Sequence, residues 1–178
     1  MRKLVVLSGL SGSGKSQYAG KLLMEYAGST GLTSEQMMRL PKGDMRASSA
    51  YCSADMFFME NGTYKFDPSK LSDAHGACFK EFIRAIQIGC EMVIVDNTNT
   101  SEVEIAPYML GAQAYGYEAE IVTIHIPVLF ACERNVHGVG EAAIQRQFNA
   151  LQTRKLAPWW KNTDIQAEGF ELATAVGE

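Results

Sequence analysis

Nothing in this 178-residue chain approaches the run of about 20 apolar residues that a helix needs to cross a bilayer. The opening Met-Arg-Lys is followed by only four apolar residues before serine- and glycine-rich loop chemistry begins at Ser8, which is too few for a secretory signal. A cytoplasmic protein with no membrane partner is therefore expected. The cysteines Cys52, Cys78, Cys90 and Cys132 form no CxxC pair, so neither a zinc site nor a redox motif is signalled and reduced, buried thiols are expected. Basic residues are not in excess: 16 Lys and Arg against 20 Asp and Glu give a net charge of −4. That balance argues against a broad phosphate-binding surface of the kind that grips duplexes non-specifically. It leaves room for a local groove, for which Arg39, Lys42 and Arg46 or Arg154, Lys155 and Lys161 are candidates. Repeats, low-complexity tracts and linkers are also missing, so residues 1–178 read as one globular domain.

What is present is an alternation of strand and helix signals. Four apolar runs read as buried strands: KLVVLS (3–8), SAYCSA (49–54, the weakest), EMVIVD (91–96) and EAEIVTIHI (118–126). A helix is expected from Lys15 to about Ala27 with Tyr18, Leu22 and Leu23 facing inward, and Thr33 with Gln36 signals a short second one. Asp67-Pro68 opens the clearest helix, running to about Gly89, with Leu71, Ala74, Cys78, Phe82, Ala85 and Ile86 at three- and four-residue steps. Ser101 and Glu104 form a capping box for a helix over Ile105, Met109 and Ala112 that ends near Gly116. Beyond Pro127 the pattern is helical twice, broken by HGVG (137–140), and FELATAV (170–176) suggests an edge strand. The sum is a doubly wound α/β fold: a parallel sheet of four to five strands, helices on both faces and a helical lid at about 132–155. The stretch 28–50 exceeds a minimal helix-to-strand connection and is a candidate insertion beside an acceptor.

GLSGSGKS (9–16) follows the first strand and opens the first helix, the context that turns GxxxxGKS into a specific phosphate-cradle signal. Gly9, Ser11, Gly12, Ser13, Gly14 and Gln17 belong to this cradle, in which the glycines let amide groups approach phosphates and the helix N-terminus faces them. Lys15 is expected at the β- and γ-phosphates and the Ser16 hydroxyl on Mg²⁺. Asp96 ends the strand VIVD at the sheet edge where ligands bind in such folds, making it the second metal candidate, with Asn97 and Asn99 available to an acceptor. Thr100 and Ser101 read instead as helix caps. Asp55, in SADMFF, lies at the same edge and can take a proton from an attacking hydroxyl. Arg134 and Arg146 sit on helical segments joined by a glycine-bearing turn and suit the charge that develops during phosphoryl transfer. Arg154 divides evenly between that role and surface solvation. Trp159-Trp160 reads as packing for the C-terminal segment.

The ordered series GLSGSGKS, SADMFF, YKFDPSKLSDAHGACF, VIVDNTNT, PYMLGAQAYGY and RNVHGVG resembles the polynucleotide-kinase-like branch of the P-loop kinases over residues 3–155. The branch is similar to the kinase-like part of certain cyclic-nucleotide phosphodiesterases and to phage kinases that act on hydroxymethylated bases in DNA. The resemblance implies an ATP- and Mg²⁺-dependent transfer to a hydroxyl of DNA or RNA. In it Lys15 and Ser16 hold the donor, Asp55 is the general base, Asp96 supports metal and acceptor, and Arg134 and Arg146 belong to the lid. His75 would line the acceptor cleft, and His137 would contact phosphate or shape the lid turn. One position departs from the pattern: kinases of 5′-hydroxyl ends carry an arginine three residues after the base, and Phe58 stands there. Met56, Phe57 and Phe58 would suit stacking on a base or packing in the core. The departure keeps open a kinase of hydroxymethylpyrimidine bases; the net charge keeps open a nucleoside or small-molecule kinase. From another class, a nucleotide-dependent binding module remains.

Overall fold

A computed structural model describes residues 2–30 and 49–168. Within them the strands β1 (Lys3–Gly9), β2 (Ser49–Cys52), β5 (Met92–Asp96), β6 (Glu118–His125) and β7 (Lys161–Gln166) form one parallel sheet in the order β2-β5-β1-β6-β7. Two short strands, β3 (Met59–Glu60) and β4 (Thr63–Tyr64), make a separate antiparallel hairpin. The helices are α1 (Lys15–Thr30), α2 (Leu71–Gln87), α3 (Glu102–Ala114), α4 (Val128–Arg134) and α5 (Glu141–Thr153).

Alternation along the strands divides the interior into two layers, because successive side chains leave a strand on opposite faces. Leu4, Val6, Val93, Val95 and Ile121 point to the face covered by α2 and α3, where they meet Phe82, Ile86, Ile105 and Met109. Val5, Leu7, Ile94, Val122 and Ile124 point to the other, against Ala19, Ala131 and Ile144 of α1, α4 and α5. Tyr18, Leu22 and Leu23 join this second layer as the periodicity of the first helix requires. The capping box at Ser101 and Glu104 is formed in both directions. Asp67 accepts the backbone N–H of Ser69 and opens a 3-10 turn (Pro68–Lys70) ahead of α2.

Three expectations need correction. Leu71 is exposed, because the 3-10 turn rotates the first residue of α2 away from the sheet. The fifth strand is β7, whose sequence KNTDIQ carries almost no apolar signal. Polar side-chain pairs across the strands join it to β6: Lys161 with Glu120 at 3.2 Å, Asn162 with Thr123 at 2.8 Å and Asp164 with His125 at 2.6 Å. Of the two tryptophans only Trp160 packs on the core, while Trp159 is exposed. The Thr33–Gln36 box, Arg39, Lys42, Arg46 and the FELATAV segment lie outside the described residues.

Candidate active site

The glycine-rich loop folds against α4 and α5. Gly12 has φ +85°, and a Cβ there would come within 2.2 Å of the Ala131 carbonyl oxygen, so only glycine fits. Ser11 is clasped by Gln147 of α5, whose Oε1 accepts its backbone N–H at 2.9 Å while Nε2 donates to its hydroxyl at 3.1 Å. Lys15 is 8% exposed and its ammonium donates to the carbonyls of Gly9 and Leu10 at 3.1 and 2.7 Å. Burial pushes its pKa down to about 8, with the carboxylates of Asp96 and then Asp55 pulling the other way. Among the described residues this buried ammonium is bonded only to neutral oxygens, a site prepared for an anion. Ser13 Oγ is buried with no hydrogen-bond partner among the described residues.

Asp96 Oδ2 accepts from the Ser16 hydroxyl at 2.7 Å and from the Tyr51 hydroxyl at 2.6 Å. Burial, then Asp96 itself, raises the Tyr51 pKa, which keeps the phenol a donor. Ser16 and Asp96 thus present hard oxygen donors side by side. Among the described residues no group of three or more His, Cys, Asp or Glu could hold a metal. A cation here would draw most of its ligands from phosphate and water, which is how Mg²⁺ is usually held. The residues fit that ion.

Opposite the loop, a 3-10 turn (Ala54–Phe58) carries Asp55, with Ser53 as its N-cap. Asn97 anchors this turn to the end of β5: its Oδ1 accepts the Ala54 N–H at 2.9 Å and its Nδ2 donates to Cys78 Sγ at 3.3 Å. Asp55 is half exposed, accepts the Tyr64 hydroxyl at 2.8 Å and has His137 Nε2 3.9 Å away. A cleft of about 220 Å³ runs between the two walls, lined by the loop residues Ser11, Gly12 and Gly14 to Gln17, by Asp55, Asp96, Asn97 and Thr98, and by Arg134, Val136 and His137. Arg134 reaches it from the end of α4, donating to Gln17 Oε1 at 3.3 Å and to the Glu168 carbonyl at 3.0 Å.

Five sequence candidates stand elsewhere. Phe58 is buried under the hairpin, its ring 5.0 Å from Phe66 and 6.1 Å from Tyr64, so it serves the core rather than an acceptor. His75 is exposed on α2 and is not among the residues lining the cleft, because Ala74 and Cys78 take the inward positions of that helix. Arg146 is likewise exposed and apart from the lining, since Ile144, Gln147, Phe148 and Leu151 are the α5 residues turned toward the body. Asn99 is buried with φ +43° and donates to the Leu7 carbonyl at 2.7 Å, tying the β5 loop to β1. Arg154 is bound by protein acceptors, Ser8 Oγ and Thr123 Oγ1 at 2.5 Å and the Asn99 carbonyl at 3.3 Å. Sequence reasoning missed Gln147, Tyr51, Tyr64 and Thr98. Only Tyr64 had a readable signal: the Asn61-Gly62 pair between its strands marks a hairpin.

A parallel α/β sheet with a glycine loop between β1 and α1, a buried lysine and a Ser–Asp pair at the carboxyl edge defines a nucleotide-binding P-loop fold. The family model described as AAA domain matches residues 4–155, and the chain belongs to that family. Human NEDD4-binding protein 2 is 28% identical over 145 residues, 78% of this chain and 8% of the relative. A putative bifunctional polynucleotide kinase/RNA ligase from Autographa californica nuclear polyhedrosis virus is 27% identical over 182 residues, 99% of this chain and 23% of the relative. The chain thus spans less than a quarter of the length of these two proteins. A gluconokinase from Sinorhizobium meliloti 1021 shares the fold, with a TM-score of 0.56, 15% identity, and coverage of 94% of this chain and 85% of that one. No helix among the described residues is long and apolar enough to cross a membrane.

Proposed function

We propose that the chain transfers the γ-phosphoryl group of ATP to a hydroxyl of a nucleic acid, as a polynucleotide 5′-hydroxyl kinase does. One observation carries the reading: the Asp55 carboxylate lines the same cleft as Lys15 and Ser16. A nucleotide holder has no need of a carboxylate across from its phosphates, whereas a kinase uses one as general base. The acceptor oxygen attacks the γ-phosphorus in line, its proton passes to Asp55, the bond from the γ-phosphorus to the bridging β–γ oxygen breaks and ADP leaves. Lys15 and the loop amides bind and orient the triphosphate, and Arg134 meets the charge that grows on the transferred group. Ser16 and Asp96 would hold Mg²⁺, which when bound screens the phosphate charge. The segment 132–155 acts as the lid. Likeness to a putative viral polynucleotide kinase across nearly the whole chain supports the acceptor class.

A second reading, a hydroxymethylated base in DNA or a free nucleoside as acceptor, is favoured by Phe58, which leaves the turn without the arginine that holds a 5′-end phosphate. Labelled ATP incubated with 5′-hydroxyl DNA, 5′-hydroxyl RNA, hydroxymethyluracil-containing DNA and nucleosides separates the readings. Label on 5′ ends is expected. Label confined to the modified base or to nucleosides replaces the first reading with the second, and label on none of them returns the chain to nucleotide holding.

A further inference from the structure

Asp55 is carried on a single 3-10 turn and is half exposed. Such a side chain has more than one rotamer open to it, yet a general base has to present one oxygen within hydrogen-bond reach of the acceptor. The β3–β4 hairpin supplies what the turn lacks. Its two-residue loop, Asn61 at φ +50° and Gly62 at φ +81°, has the left-handed pair that a type I′ turn requires, which sets the pairing of Glu60 with Thr63 and Met59 with Tyr64. A hairpin this short does not stand alone in water. Here the buried Phe58 ring underlies it, with Tyr64 and Phe66 packed on that ring edge to face. Register and packing together place the Tyr64 hydroxyl 2.8 Å from Asp55 Oδ1. Burial, then Asp55, holds the phenol's pKa above its ordinary value, so it remains a donor. Oδ2 is left facing the turn between α4 and α5, where His137 Nε2 lies 3.9 Å away and the His137 ring packs on Tyr64 with centroids 4.8 Å apart.

We infer that Tyr64 is a positioning residue for the general base: it fixes Oδ1 so that Oδ2 is the oxygen offered to the acceptor hydroxyl. The inference rests on the reading of Asp55 as base. It gives the hairpin a purpose that the loop and sheet do not require.

The test is steady-state turnover of wild type, Tyr64→Phe, Asp55→Asn and the double variant with the best acceptor of the panel above. Tyr64→Phe keeps the ring and its packing and removes only the donor. It is expected to lower kcat by about 10- to 100-fold, the scale of a misplaced reacting group, with KM for ATP and for acceptor within about twofold of wild type. In the Asp55→Asn background the same substitution is expected to change kcat by less than about twofold, because a residue acting through Asp55 has nothing left to position. Unchanged kcat in Tyr64→Phe, or an equal fall in both backgrounds, overturns the inference while the base reading stands. Full turnover in Asp55→Asn overturns the base reading and the inference with it. A loss that appears in KM rather than kcat assigns Tyr64 to substrate binding and also overturns it.

Discussion

The two walls of the cleft are built differently. On the donor side, Lys15 and Asp96 are nearly fully buried, 8% and 4% exposed, and each is fixed by bonds to backbone or to neighbouring side chains. On the acceptor side the side chains of Asp55 and His137 are 53% and 40% exposed, and they are ordered mainly by one another and by Tyr64. In the proposed reading the donor wall grips a triphosphate, a ligand common to many proteins of this fold, and can be built into the sheet edge. The acceptor wall hangs on a turn and a hairpin inserted between β2 and α2, where change leaves the core intact. The fold therefore identifies a nucleotide site more readily than it identifies an acceptor.

Substitutions on either wall sharpen that contrast. The largest effect is expected on the donor side, at Arg134, where Arg134→Ala should slow transfer by about 10³–10⁵. Arg146→Ala, on the exposed face of α5, should stay within a few-fold of wild type. Equal losses in the two would show that the lid closes further than the described contacts imply. Next comes Asp55→Asn, expected to reduce kcat by about 10²–10⁴ while ATP affinity, measured by titration calorimetry, holds. A parallel loss of ATP affinity would erase the distinction between the walls. Gly12→Ala probes scaffolding. A Cβ at φ +85° against the Ala131 carbonyl is expected to cost on the order of 3 kcal/mol in urea unfolding and to weaken ATP binding with it.

The same contrast decides what could be read from the amino-acid sequence. The donor wall was legible because its geometry is local: strand, glycine loop and helix are consecutive, so spacing alone places Gly12, Lys15 and Ser16. Three of the five strands of the sheet, β1, β5 and β6, were legible for a related reason, since strands buried on both faces are apolar without interruption, whereas β2, an edge strand with one fully buried residue, gave only a weak signal. Strand β7 was not, because an edge strand held by Lys161–Glu120 and Asp164–His125 pairs carries no hydrophobic period. Asn99 and Arg154 could be assigned only from tertiary contacts: whether a polar side chain faces solvent, ligand or a carbonyl 92 residues away in sequence is not written in its neighbours. Phe58 shows the limit most sharply. The residue two places after Met56 can serve as a stacking platform or, as such clusters more commonly do, as core, and the ring of Phe66 places it in the core.

Lys15 gives the smallest effect and tests the donor wall without any acceptor. In the folded protein its ammonium loses its proton near pH 8, whereas the unfolded chain holds it to about 10.5. Between those values the unfolded state binds more protons, so stability rises with pH across the window; below pH 8 the burial penalty is present in full. The difference corresponds to about 3 kcal/mol at most, a few degrees in melting temperature for a chain of this size. Lys15→Met removes the titration and leaves the rest of the charge set in place. Without ATP the variant is expected to melt above wild type at pH 7, and the gap should shrink as pH rises toward 10. With ATP the order should reverse at pH 7, because the phosphates supply the negative charge that the cradle lacks. A gap between the two proteins that stays constant from pH 7 to 10 would mean that the lysine is solvated in the empty protein, and that the donor wall is no more preformed than the acceptor wall.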